Sequence, residues 1–264
     1  MGMKTGNILH SSVLSFTDDV IIRKRQNTIS VCRLVIVLAL CLYVSVSATG
    51  QTRSSGSTGT AAILTEVSQL MERKEYAAAL ALFDKIDKSA LETAEIQLLK
   101  ASVLNSAGRT AEARAIASGI STSDPKNIDA LLVLAASAAL EGKDKEQKNT
   151  LDKVIKLDPK NLKALTDLGY IALGTPALRT AAGHFDRALA VDSTYREAMV
   201  GRAIVYRYAK DPKKSEQMLN KAIQQNPQWA TPLHERARLY KGAGYLEDAL
   251  KDLDAAKKLD PDNY

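Results

Sequence analysis

Residues 128–161 read IDALLVLAASAALEGKDKEQKNTLDKVIKLDPKN, and residues 162–195 read LKALTDLGYIALGTPALRTAAGHFDRALAVDSTY. Laid over one another without a gap, they set Ala135 on Gly169, Leu151 on Phe185, Val154 on Ala188 and Asp158 on Asp192. The small, bulky and turn-forming residues recur every 34 places. Working outward, the period reaches back to Thr60 and forward to Asn263, in units 60–93, 94–127, 128–161, 162–195, 196–229 and 230–263.

Prolines keep the register. Pro125 and Pro159 are 34 residues apart, Pro159 and Pro227 twice that, and Pro227 and Pro261 again 34. Each follows Asp or Asn, and Asp192-Ser193 holds the skipped place. Proline lacks the helical donor and pushes the preceding residue out of the helical region, so each of these sites ends a helix. The eighth residue of a unit is small in Ala101, Ala135, Gly169, Ala203 and Ala237, which lets two helices cross closely. The twentieth is small in Ala79, Ala113, Ala181 and Ala249, and the twenty-fourth is bulky in Phe83, Leu151, Phe185, Leu219 and Leu253. Ile86, Ile120, Val154, Ala188, Ala222 and Ala256 continue the spacing of three to four expected of an amphipathic helix. Gly108, Gly142 and Gly244 suit a left-handed turn between the helices. Val67, Ala117, Gln147 and Ser215 depart from the pattern, so the first three units read as the looser half.

This arrangement resembles the tetratricopeptide repeat, which has a 34-residue period and an A…F…P signature. The resemblance covers 204 of 264 residues. It implies an all-α fold, a right-handed α-solenoid of tandem helix-turn-helix repeats, in which each unit buries its apolar face on its neighbours. It also implies a groove lined by the first helix of each pair. The corresponding places hold Leu98, Leu132 and Ala136, then Tyr170, then Val200, Ile204, Arg207 and Tyr208, and finally His234, Arg238 and Lys241. That run drifts from apolar to aromatic and basic. The expected ligand is therefore a protein or peptide segment with an apolar stretch and an acidic end, or a free carboxylate, near Arg207, Arg238 and Lys241. The carboxylate clamp of the chaperone-binding members has no counterpart, because Leu64, Ser68, Leu132 and Ala136 stand in its places.

The first 48 residues carry Lys4, Arg23, Lys24, Arg25 and Arg33 against Asp18 and Asp19, which is +3 of the formal +6. The rest of the chain mixes its charges along helix sides, so no basic stripe for nucleic acid is expected. Residues 34–46, LVIVLALCLYVSV, form an apolar run that follows those basic residues and precedes Val46-Ser47-Ala48. Read as a signal peptide, residues 1–48 direct export, with cleavage after Ala48 and a flexible linker at 49–59. The alternative is an uncleaved single-pass anchor over residues 31–48, which is short beside the roughly 20 residues that span a bilayer. Leu40 before Cys41 is too large for the small residue expected ahead of a lipidated cysteine. Both cysteines, Cys32 and Cys41, precede the repeats, so no disulfide is expected within them.

Catalytic chemistry is poorly represented. Only His184 and His234 follow residue 48, on different kinds of helix, and neither a metal-binding His pair nor a phosphate-binding glycine loop occurs. No cofactor and no enzymatic activity are expected. The sequence points to an interaction scaffold in the periplasm or at the cell envelope, the alternative being an envelope assembly factor for pilus or secretion subunits. Leu250 and Leu259 in the last unit are expected to lack a covering helix, leaving room for a dimer through that unit.

Overall fold

This computed structural model describes residues 55–261, which form thirteen α-helices. The proposed signal or anchor segment lies outside the described residues. The chain divides between Pro159 and Lys160 into two compact units. The first contains α1 (Ser55–Glu72), α2 (Tyr76–Leu82), α3 (Lys88–Leu91), α4 (Ala94–Ser106), α5 (Thr110–Ser123), α6 (Ile128–Leu140) and α7 (Asp144–Leu157). The second contains α8 (Leu162–Leu173), α9 (Leu178–Val191), α10 (Arg196–Tyr208), α11 (Pro212–Gln225), α12 (Thr231–Ala243) and α13 (Leu246–Leu259). Each unit is a stack of helix pairs, the all-α repeat fold expected from the sequence. α1 begins at Ser55, inside the stretch expected to be a linker. Once a helix is nucleated each further residue adds a hydrogen bond, so a short backward extension is inexpensive.

The 34-residue period is visible in the backbone. Second helices start at Tyr76, Thr110, Asp144, Leu178, Pro212 and Leu246, in step with the sequence period. Five of them stop at Asp124, Asp158, Asp192, Asn226 and Asp260, whose φ values lie between −131° and −143°. Proline forces that conformation on the residue before it in four cases. At Asp192, which Ser193 follows, the side chain accepts from the Thr194 amide at 2.8 Å and closes the same turn. Asn127 and Asn161 then cap the next helices, accepting from the amides of Ala130 at 2.9 Å and Ala164 at 3.0 Å.

The first pair is irregular. Its second helix passes into a 3-10 segment at Phe83–Lys85, and Ile86 is extended before the single turn of α3. Asp84 and Asp87 are weak interior helix formers, and Ile86 buries its side chain in the cluster of Leu82, Phe83 and Ile96. The second and third pairs, by contrast, keep full-length helices. Ala117 simply leaves a smaller residue in the cluster of Leu98, Ala101, Leu104 and Val133. Gln147 and Ser215 are buried despite being polar. Ser215 meets the cost by donating to the Ala203 carbonyl at 2.9 Å.

Gly108, Gly142 and Gly244 take φ of 78°, 71° and 86°, the left-handed turns expected of them. The equivalent places in the first and fifth pairs hold Lys74 and Lys210, which adopt the same conformation with φ of 63° and 57°.

Several carboxylates that the sequence alone assigns to solvent are buried. Asp252 accepts two bonds from Arg236, each 2.7 Å long, Asp167 pairs with Lys163 one turn away, and Glu235 lies between two arginines. A buried charge survives when paired, and Arg236 and Arg207 come from neighbouring helices. Desolvation still pushes the Asp167 carboxyl upward, against the pull of Lys163. At the C-terminal end, Leu259 packs with Ala230, Leu233, Ala255, Ala256 and Ile223. The expectation that Leu259 lacks a cover is therefore corrected, whereas Leu250 is 61% exposed.

Candidate functional site

In the first unit Leu98, Leu132 and Ala136 fall on the first helices α4 and α6. All three are buried, Leu98 at 2% exposure within the packed cluster of Ala101, Leu104 and Val133. Beside them Asn105 donates to the Val133 carbonyl at 3.4 Å and accepts from the Ser137 hydroxyl at 3.1 Å, tying α4 to α6. Asp129 sits on α6 near Glu95, and burial together with that like charge raises its carboxyl pKa. The apolar residues named for the ligand thus form packing between helices here, which is the other role available to a residue at such a place.

In the second unit Tyr170, Val200 and Ile204 are also buried, Val200 completely. The Tyr170 hydroxyl donates to the Glu197 carbonyl at 3.0 Å, and its ring meets Phe185 edge-on with centroids 5.1 Å apart. These side chains stiffen α8, α9 and α10 against one another. Arg207, Tyr208, His234 and Arg238 are half-buried and Lys241 is exposed.

Arg207 and Arg238 come together. Glu235, itself buried, lies 3.4 Å from the Arg207 guanidinium on α10 and 3.8 Å from that of Arg238 on its own helix, α12. The Arg207 guanidinium also stands 4.7 Å from the centroid of the Tyr208 ring, within cation–π range. Lys241 follows Arg238 by three residues and so shares its side of α12. The cluster therefore combines three cations, one carboxylate and an aromatic ring, with positive charge in excess. Planar guanidinium groups suit carboxylate recognition through paired bonds. His234, next to Glu235 in the chain, is held below the ordinary histidine pKa by burial, which Asp260 partly offsets. It is neutral near pH 7 and adds no charge to the cluster.

Glu235 is not a candidate from the sequence. Its signal is present, however, as a lone acid in the basic stretch His234-Glu235-Arg236-Ala237-Arg238. Among the described residues no group of three or more His, Cys, Asp and Glu side chains is placed to hold a metal ion. No helix among them is long and apolar enough to cross a membrane.

Residues 230–263, which contain α12 and α13, match the family model of the tetratricopeptide repeat. No curated protein matches the chain in sequence. Solved structures share its fold. A thermophilic TPR protein of Thermus thermophilus is 19% identical, with 64% of this chain and 93% of that one covered and a TM-score of 0.59. PilW, described as a widely conserved type IV pilus biogenesis factor, is 22% identical over 64% of this chain and 78% of its own, at a TM-score of 0.57. PilF of Pseudomonas aeruginosa is 18% identical over 79% of this chain and 95% of its own, also at 0.57. At such identities the likeness is one of fold. Residues 230–263 thus form a tetratricopeptide repeat, and the same helix-pair geometry recurs at the 34-residue period along the other described residues.

Proposed function

We propose that the chain is a non-enzymatic scaffold that captures a protein or peptide partner by an acidic segment or a free carboxylate, in the periplasm or at the cell envelope. The observation that carries this reading is the junction of Arg207, Glu235 and Arg238 across α10 and α12. Two guanidinium groups converge on one carboxylate, Lys241 adds charge beside them, and Tyr208 supplies an aromatic face. The groove residues divide accordingly. Arg207, Tyr208, Arg238 and Lys241 meet the ligand. Leu98, Leu132 and Ala136 in the first unit, and Tyr170, Val200 and Ile204 in the second, are buried and serve packing between helices.

Affinity capture from envelope extracts on the full-length chain tests this directly. The partner retained by the native chain is lost on Arg238→Glu with Lys241→Glu, both on the solvent side of α12. Equal capture by the two would remove the basic cluster from the account. The basic n-region and apolar run at residues 23–46 favour export, while the second half of the placement, cleavage after Ala48 or retention as an anchor, is read from the mass of the mature chain.

A narrower reading, an envelope assembly factor for pilus or secretion subunits, takes its motive from the pilus biogenesis factor that shares the fold. Recovery of pilin or secretion subunits in the same capture supports it, and their absence from a positive capture dismisses it.

A further inference from the structure

Within the second unit, the outer faces of the second helices α9 and α11 are covered by the first helices of the pairs that follow, α10 and α12. Tyr240 donates to Glu216 at 2.7 Å, Arg202 to Asp186 at 2.6 Å and Arg236 to Asn220 at 2.6 Å, while Phe185 packs against Gly201. By the 34-residue period, Glu216 corresponds to Leu250 of α13, Asp186 and Asn220 to Asp254, and Phe185 to Leu253. Among the described residues no further helix covers this face of α13. Leu246 and Leu250 are 60% and 61% exposed, with Leu253 half-buried beside them. Leu253 is the bulky residue of the repeat, but Leu250 is not imposed by it: Arg114, Lys148, Ala182 and Glu216 occupy its place in the four preceding units, and only the first unit has a leucine there, Leu80.

We propose that this face seats a second copy of the chain, with α13 packed antiparallel on α13 about a two-fold axis. Leu246, Leu250, Leu253 and Lys257 follow one another at intervals of four, three and four residues, the spacing of a two-helix seam. Flanking that stripe are Glu247, Lys251, Asp254 and Lys258, all exposed. When Leu250 opposes Leu253 of the second copy, Glu247 comes within a turn of the second copy's Lys257 and Lys258. Asp254 likewise comes within a turn of its Lys251. A two-fold axis makes every such contact twice. Parallel packing instead sets Glu247 on Glu247 and Lys257 on Lys257. Head-to-tail packing fails on charge as well: Arg202 and Arg236 answer Asp186 and Asn220, but the equivalent residue of the first pair is Glu66, which would meet Asp254. Exposed ion pairs add little affinity, so the leucines supply the attraction and the charges set the register.

The interface uses no residue of the basic cluster, so its test is separate from that of ligand capture. Sedimentation velocity of the full-length chain over a wide concentration range is expected to show a monomer–dimer equilibrium. Leu250→Glu, at an exposed site that leaves the helical circular dichroism and its melting unchanged, raises the dimer dissociation constant at least tenfold. Glu247→Lys also weakens the dimer, and combining it with Lys257→Glu and Lys258→Glu restores it. A monomer at every concentration, or association indifferent to Leu250→Glu, overturns the dimer. Failure of the triple variant to recover overturns the antiparallel register.

Discussion

The ring of Phe185 fills the space that a side chain on Gly201 would need. The same ring crowds Gly169, where an added Cβ would stand 2.6 Å from its Cε1, and at Gly201 the approach is closer still. Phe185, on α9, is thus held between α8 and α10, and the two glycines are required by its bulk rather than by their backbone angles. Gly201→Ala is expected to lower stability by about 1–3 kcal/mol, with Gly169→Ala nearer the lower end. Leucine stands at the equivalent place in Leu151 and Leu219. Phe185→Leu should therefore relieve part of the strain, making the double variant Gly201→Ala/Phe185→Leu less damaged than the sum of the single ones. Urea unfolding followed by circular dichroism measures the coupling, and strict additivity would refute the contact.

Lys74 and Lys210 occupy turns that glycine fills in three other pairs. A side chain in the left-handed region costs roughly 1–2 kcal/mol, and part of that is offset because glycine gives the unfolded chain more freedom. Lys210→Gly is accordingly expected to raise stability by about 0.5–1 kcal/mol, seen as a higher melting temperature. The reverse exchange, Gly244→Lys, should lower it.

His234 links stability to pH. Burial lowers its pKa in the fold, so the unfolded chain, with an ordinary value of about 6.5, takes up a proton first as the pH falls. Stability is therefore fullest above about pH 6.5 and declines below it, until the folded value is passed. Melting curves at pH 7.5 and 5.5 should show a larger drop for the native chain than for His234→Gln. Equal drops would assign the acid sensitivity to other groups.

Local chemistry makes much of the fold legible in the sequence. A proline, or an Asp that closes its own turn as Asp192 does, stops a helix wherever it stands, and Gly108, Gly142 and Gly244 mark turns without reference to the rest of the chain. The caps at Asn127 and Asn161 are equally local but less conspicuous, since they sit between proline and the next helix. Lys74 and Lys210 are hidden for a different reason: the flanking helices impose the turn, and the residue bears the strain. The break at Ile86 likewise depends on which side chains wait beneath it. At the candidate site, Arg207 and Arg238 can be placed by period alone. Glu235 cannot, because what joins it to Arg207 is the approach of α12 to α10, a contact 28 residues apart in the chain. The apolar places are ambiguous in sequence, since Leu98 and Val200 can face a ligand or a neighbouring helix, and burial resolves them toward the helix.

The central claim is that the cluster on α10 and α12 recognises carboxylate. Peptides selected by display on the full-length chain, resynthesised with their acidic residues and free C-terminus or with amides at all those places, give the most direct measurement. Fluorescence anisotropy should find the acidic form bound at least tenfold more tightly, about 1.4 kcal/mol, and the preference should vanish in Arg238→Glu/Lys241→Glu. Equal affinity for both peptides, or a preference that survives the charge reversal, would contradict the account.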